Sequence, residues 1–147
     1  MFRDFEPRDR GAFIKMAGAL YASGATVHSV GEVNFERTFD EVLRGSPYAR
    51  GIMIEEDGRA RGYALLAFTW SNEAGGMVVW VEEIYISEAF RGRGIGRKLF
   101  EFLEREYPLA ARFRLEVHED NARAMALYRR LGYEELKYVQ MVRERKA

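Results

Sequence analysis

An apolar run, Met77 to Ile86, leads within a few residues to a hexapeptide in which every second position is glycine, Arg-Gly-Arg-Gly-Ile-Gly at 91–96. An amphipathic stretch with Ile95, Leu99, Phe102 and Leu103 on one face follows directly and stops before Pro108. The succession reads as strand, glycine loop and helix. Missing Cβ atoms at 92, 94 and 96 let the backbone close around a ligand and adopt positive φ. The loop amides and the first free donors of the helix converge there, which suits an anion, and Arg91, Arg93 and Arg97 add charge. A pyrophosphate is the natural guest.

Spacing excludes two familiar phosphate loops. A Walker-type loop ends in Gly-Lys-Ser/Thr, whereas Gly96 is followed by Arg97, Lys98 and Leu99. A dinucleotide fingerprint needs glycine three residues after the second of its pair, but Arg97 stands there for the pair Gly92 and Gly94, and Leu99 for Gly94 and Gly96.

The rest of the chain supplies a frame for this loop. At 147 residues and 48% hydrophobic content it suits a single globular domain over 1–147. Lysine plus arginine equals aspartate plus glutamate at 23 each, so no basic field points to nucleic acid or an anionic membrane. Without cysteine there are no disulfides, thiolate nucleophiles or thiolate metal sites. The N-terminus carries no apolar signal segment and no run is long enough to cross a membrane, so a cytoplasmic protein is expected. His28 and His118 stand alone, and no metal site is expected.

Periodicity predicts a short strand over Met1 to Phe5, a helix from Asp9 to Gly24, and a second helix capped by Asn34 that ends at Gly45, Ser46 and Pro47. Strands are expected over Ile52 to Glu56 and Tyr63 to Trp70, joined through Asp57 and Gly58, then Met77 to Ile86. Further strands are expected over Arg112 to Val117 and Leu136 to Arg143, flanking a helix from Asn121 to Leu131 that stops at Gly132. Trp70, Trp80 and Phe68 read as core or cleft-wall aromatics, and Glu116 as a surface partner of Arg114 or another base in preference to a cleft residue. Helices interrupting a mostly antiparallel sheet give an α+β class.

A second motif lies at 121–133, Asn-Ala-Arg-Ala-Met-Ala-Leu-Tyr-Arg-Arg-Leu-Gly-Tyr. In a helix Asn121 and Tyr128 differ by only about 20° in direction, with Ala124 on the same stripe. Together the two motifs resemble the GNAT superfamily of N-acetyltransferases. Its coenzyme A loop reads Arg/Gln, two residues, Gly, one residue, Gly or Ala, filled here by Arg91, Gly94 and Gly96. Its second motif is matched by Asn121, Ala124, Leu127, Tyr128, Gly132 and Tyr133.

The resemblance implies a GNAT fold with a central sheet splayed at the cofactor site, acetyl-CoA as donor, and a primary amine as acceptor. It implies that Gly92 to Arg97, with Arg91, Arg93 and Ile95, hold the pyrophosphate. Backbone groups of Ile84, Tyr85 and Ile86 would pair with the pantetheine arm, beside a bulge near Glu82 or Glu83. Ala124 falls on the cofactor-facing stripe, and Asn121 either caps its helix, bonds the pantetheine, or does both. Tyr128 is the candidate donor to the departing thiolate, by hydrogen bond or by full proton transfer. Trp80 to Ile86 resembles the matching strand of diamine and polyamine acetyltransferases, whose acidic pair is represented by Glu82 and Glu83; Glu82 ranks first as the base, acting through water. The acceptor stays open among a polyamine-like molecule, an aminoglycoside-like amine, an amino acid and a protein lysine or N-terminus, with the acidic pair leaning slightly towards a small cationic amine; direct attack without a covalent acyl-enzyme is the expected route, and a homodimer is common in the superfamily. The rival reading is a non-catalytic acetyl-CoA sensor or partner-binding domain of the same fold.

Overall fold

The computed structural model describes residues 1–26 and 28–145. Five strands order β1-β2-β3-β4-β5 in one open sheet. β1 is Phe2–Asp4, β2 Ala49–Glu56, β3 Arg59–Ser71, β4 Gly76–Ile86 and β5 Arg112–Leu115; the helices are α1 Arg10–Ala22, α2 Glu32–Leu43, α3 Ile95–Glu106 and α4 Ala122–Arg130. The pairings are antiparallel except β4 with β5, which is parallel. A parallel pair needs a crossover, and α3 provides it.

Short-range chemistry explains the meander. Asp57 and Gly58 both take positive φ, 52° and 70°, as a tight hairpin between β2 and β3 requires. Both faces of the sheet are covered, so β2 carries consecutive buried residues, Ile52, Met53 and Ile54, where a half-exposed strand would alternate. Ile52 and Ile54 join Leu66, Val79, Val81, Leu99, Phe100 and Leu103 beneath α3. Met53 and Tyr63 join Phe5, Phe13, Phe35 and Phe39 beneath α1 and α2. The result is an α+β sandwich with one apolar core on each side of the sheet.

Four sequence expectations need correction. Helix α2 begins at Glu32 with Gly31 in the extended N-cap position, and Asn34 lies inside its first turn, its amide bonded to the Gly31 carbonyl at 3.0 Å. Trp70 is 78% exposed, because it lies near the far end of the β3–β4 ribbon beyond the reach of the helices. Arg114 lies over the Trp80 ring, 4.2 Å from its centroid, and among the described residues forms no ion pair with Glu116. The segment from Leu136 to Arg143 forms no strand, since among the described residues no strand bonds to it.

Candidate active site

The site originates in an irregularity of β4. Leu65 pairs with Glu83 and Leu66 with Val81, leaving Glu82 as the extra residue of a β-bulge. A bulge reverses side-chain alternation. Val79 and Val81 therefore face the α3 core, and beyond the bulge Ile84 and Ile86 face it as well. Tyr85 and the Glu83 carboxylate turn to the α1 side.

The bulge coincides with the loss of a neighbour. β5 follows β4 only from Val78↔Arg112 to Val81↔Leu115. From Glu83 to Ile86, β4 still pairs with β3, but among the described residues no strand pairs with its other edge. The sheet thus opens into a wedge with exposed backbone along one wall.

At the end of that wall lies the glycine loop. Gly92 and Gly94 have φ of 76° and 72°, and Gly94 is the N-cap of α3. The first helical amide with an internal acceptor is Lys98, bonded to the Gly94 carbonyl at 3.1 Å; among the described residues the amides of 92–97 meet no protein acceptor. Six successive donors at a helix start form an anion cradle. The side chain of Ile95 is buried core, so only its amide serves the cradle. Gly96 lies in the first turn of α3, where an added Cβ would meet Leu127 of α4 at 3.4 Å.

The loop arginines are less free than their charges suggest. Arg91 donates through Nε to the Ile86 carbonyl at 2.8 Å and lies over Tyr85, 5.8 Å from its centroid. That bond occupies one of the backbone acceptors assigned to the pantetheine arm and ties the loop to the strand. Arg93 sits 4.7 Å from the Phe90 ring centroid and 4.0 Å from Glu56, while Arg97 donates to Glu101 at 3.2 Å.

Tyr128 projects from α4 into the wedge side of the α3 core. Its ring meets Phe100 edge-on, with centroids 5.7 Å apart. The hydroxyl makes no hydrogen bond among the described residues, and burial raises the phenol above its ordinary range. Asn121 caps α4, its Oδ1 accepting from the Ala124 amide at 3.2 Å. Both alanine and asparagine therefore have a local structural task.

The two glutamates have separate environments. Glu83 accepts from Tyr21 at 2.6 Å and from Tyr63 at 2.7 Å, so its oxygens are committed to two phenols. Glu82 reaches the open wedge and has no protein hydrogen bond or ion pair among the described residues. Loss of solvent, then repulsion from Glu116 and from Glu83, raises its carboxyl above the usual carboxylate range. Glu82 is thus the freer carboxylate. Sequence reasoning missed Tyr21 and Tyr63 as partners of Glu83, since they come from α1 and β3 and no spacing rule links them to β4. It also undervalued Glu116, whose place just past β5 was visible but whose approach to Glu82 was not.

Among the described residues no group of His, Asp or Glu has the arrangement of a metal site. No helix of the described chain is long and apolar enough to cross a membrane.

Known proteins resemble this chain in sequence and in fold. The thialysine N-epsilon-acetyltransferase of Bos taurus is 37% identical over 78 residues, 51% of this chain and 45% of that protein. The spermine/spermidine N(1)-acetyltransferase of Bacillus subtilis (strain 168) is 32% identical over 59 residues, 38% of this chain and 39% of that protein. The matched region thus spans less than half the length of these curated relatives. An aminoglycoside N-acetyltransferase solved in complex with CoA superposes with a TM-score of 0.80 at 18% identity, covering 99% of this chain and 95% of that one, and so shares the fold. Residues 21–133, which include the bulge, the glycine loop and Tyr128, match the family described as Acetyltransferase (GNAT) family, and the chain belongs to it.

Proposed function

We propose that this chain, acting as one domain, is an acetyl-CoA-dependent N-acetyltransferase whose acceptor is a small cationic primary amine. The observation that carries the reading is the juxtaposition of a free β4 edge, six unbonded amides at the start of α3, and a phenol without a protein partner. The amides of 92–97 suit the pyrophosphate, and the backbone of Ile84 and Tyr85 suits the extended pantetheine arm, as a peptide strand would be held. The thioester supplies an activated acyl carbon, and this chain's residues handle the protons.

The amine arrives as an ammonium of pKa ~10.4 and must be deprotonated before attack. Glu82 accepts that proton through water; its raised pKa narrows the gap between base and amine, which assists transfer. The C–N bond then forms as the C–S bond breaks. Tyr128 donates a hydrogen bond to the departing thiolate. Full transfer from a phenol at ~10 to a thiolate whose acid is near 8.5 is uphill by about 2 kcal/mol, and burial of Tyr128 makes it steeper. Hydrogen-bond stabilisation is therefore the favoured role, with solvent supplying the thiol proton.

The acceptor class follows from charge. Glu82 and Glu116 repel one another, and neither has a cationic partner among the described residues. A second ammonium on a diamine would relieve that repulsion. A panel of diamines, polyamines, aminoglycosides, amino acids and N-terminal peptides, read by release of free thiol from acetyl-CoA, tests the reading. Turnover with a cationic small amine is expected. CoA binding without turnover on any amine would favour the sensor alternative instead.

A further inference from the structure

The glycine cradle is flanked by α4. An added Cβ at Gly96 would meet the Leu127 side chain at 3.4 Å, and one at Gly92 would meet Nη2 of Arg123 at 4.0 Å. Both members of each pair advance by four residues, from 92 to 96 and from 123 to 127. Helix α4 therefore runs beside the loop in the same sense as the loop itself, with its first turn level with Gly92. Arg123 stands in that turn, exposed, and makes no hydrogen bond or ion pair among the described residues. The arginines around it are engaged. Arg91 is bonded to the Ile86 carbonyl and Arg97 to Glu101, while Arg93 rests on the Phe90 ring near Glu56. Arg61 of β3 packs on the same ring, 4.1 Å from its centroid, with its Nε enclosed. Among these guanidiniums Arg123 alone is uncommitted.

Six amides supply hydrogen bonds but no net charge, which suits the singly charged phosphates of a pyrophosphate linkage. CoA carries one phosphate more, a monoester at the 3′ position of its ribose. A phosphomonoester ionises a second time near pH ~6 and so bears almost two negative charges at neutral pH. Such a dianion is best met by a guanidinium, whose planar fork donates two parallel bonds. We propose that Arg123 binds the 3′-phosphate of CoA and makes this chain select the intact coenzyme over its 3′-dephospho form. The inference rests on the acetyl-CoA reading above and adds to it a determinant of cofactor specificity. The order of groups in the cofactor agrees, because the phosphorylated ribose follows the pyrophosphate. With the pyrophosphate on the amides of 92–97, the ribose emerges beside the loop, and α4 is the element packed against Gly92 and Gly96. Because α4 also carries Tyr128, the phosphate ties the helix of the phenol to the cradle.

Equilibrium binding tests this without turnover. Titration calorimetry of the full chain with CoA and with 3′-dephospho-CoA should show the parent preferring CoA by about 10–100-fold, the range of a charge-assisted hydrogen-bonded pair. Arg123→Gln should lose that preference, weakening CoA by the same factor and leaving 3′-dephospho-CoA within about threefold. Added salt should narrow the preference of the parent and leave the variant unmoved. Arg129→Gln, on the same helix but rotated away from Arg123, should bind both ligands as the parent does. Arg123 has no internal bond to lose, so the variant should melt with the parent. Equal weakening of both ligands by Arg123→Gln would place the arginine on the pyrophosphate and overturn the proposal. An unchanged CoA affinity in Arg123→Gln would overturn it too, as would a parent that binds both ligands alike. A parent that binds neither ligand would sink the acetyl-CoA reading together with this inference, whereas the other failures leave that reading standing.

Discussion

Removing one oxygen atom from Tyr128 and one from Tyr63 should produce opposite phenotypes. The Tyr128 hydroxyl has no protein partner among the described residues, so Tyr128→Phe leaves every internal hydrogen bond in place. The ring keeps its contact with Phe100. Stability should change by less than about 0.5 kcal/mol, which for a chain of this size is a melting shift under about 2 °C. If the hydroxyl stabilises the departing thiolate, its loss removes one preorganised donor, and kcat should fall about 10²–10³-fold with KM for acetyl-CoA little changed. Tyr63→Phe deletes the bond to Glu83 at 2.7 Å in a buried setting, where a hydrogen bond to a charged group contributes about 1.5–3 kcal/mol. Its melting point should drop by roughly 5–9 °C, with a smaller rate loss. Differential scanning calorimetry and thiol release on the same samples provide both numbers. A Tyr128→Phe protein that works within threefold of the parent, or that melts as early as Tyr63→Phe, would refute the assignment.

Glu82 ionises above the usual range, and only its ionised form can accept a proton, so the acidic limb of kcat/KM should lie above the pH ~4.3 of an ordinary glutamate. Glu116→Gln removes the second of its three causes and should move that acidic limb to lower pH without abolishing it; an unmoved limb would detach Glu116 from the site. The same raised pKa means that ionising Glu82 opposes folding, so stability is lost as pH rises through its folded value. Glu82→Gln should therefore melt later than the parent above that pH and equally below it. Gly62 lies opposite Ile86, and a Cβ there would run into the Tyr85 carbonyl oxygen. Gly62→Ala should cost about 1–3 kcal/mol in denaturant melts and weaken CoA binding by displacing the cofactor edge of β4. At the loop, Gly94→Ala should cost about 1–2 kcal/mol because of its φ of 72°, whereas Gly96→Ala, with ordinary contact to Leu127, should be neutral or gain up to about 1 kcal/mol. Equal melting of these two variants would show that backbone strain does not distinguish them.

Local rules made the elements legible in the sequence. Asp57-Gly58 specifies its hairpin, the helical repeat of Ile95, Leu99 and Leu103 specifies the buried face of α3, and the alternate glycines specify a loop whose amides stay free. These features act within a few residues of one another, so spacing alone carries them. The approximate place of the bulge, near Glu82 or Glu83, came from the resemblance to the superfamily and not from spacing.

What the chain's spacing could not reach were contacts between distant segments. Glu82 and Glu83 are chemically identical neighbours, and only the pairing of β4 with β3 makes Glu82 the extra residue. Glu83 becomes a bound carboxylate because Tyr21 and Tyr63 arrive from two other elements. The apolar pattern of 136–143 likewise announces a strand, but a strand exists only when another backbone accepts its hydrogen bonds, and the described residues offer none. Sequence by itself determined which local shapes were available and where an anion could be held. Tertiary structure decided which carboxylate was free, which phenol was unpartnered and which edge was open, since each depends on what packs beside it across the fold.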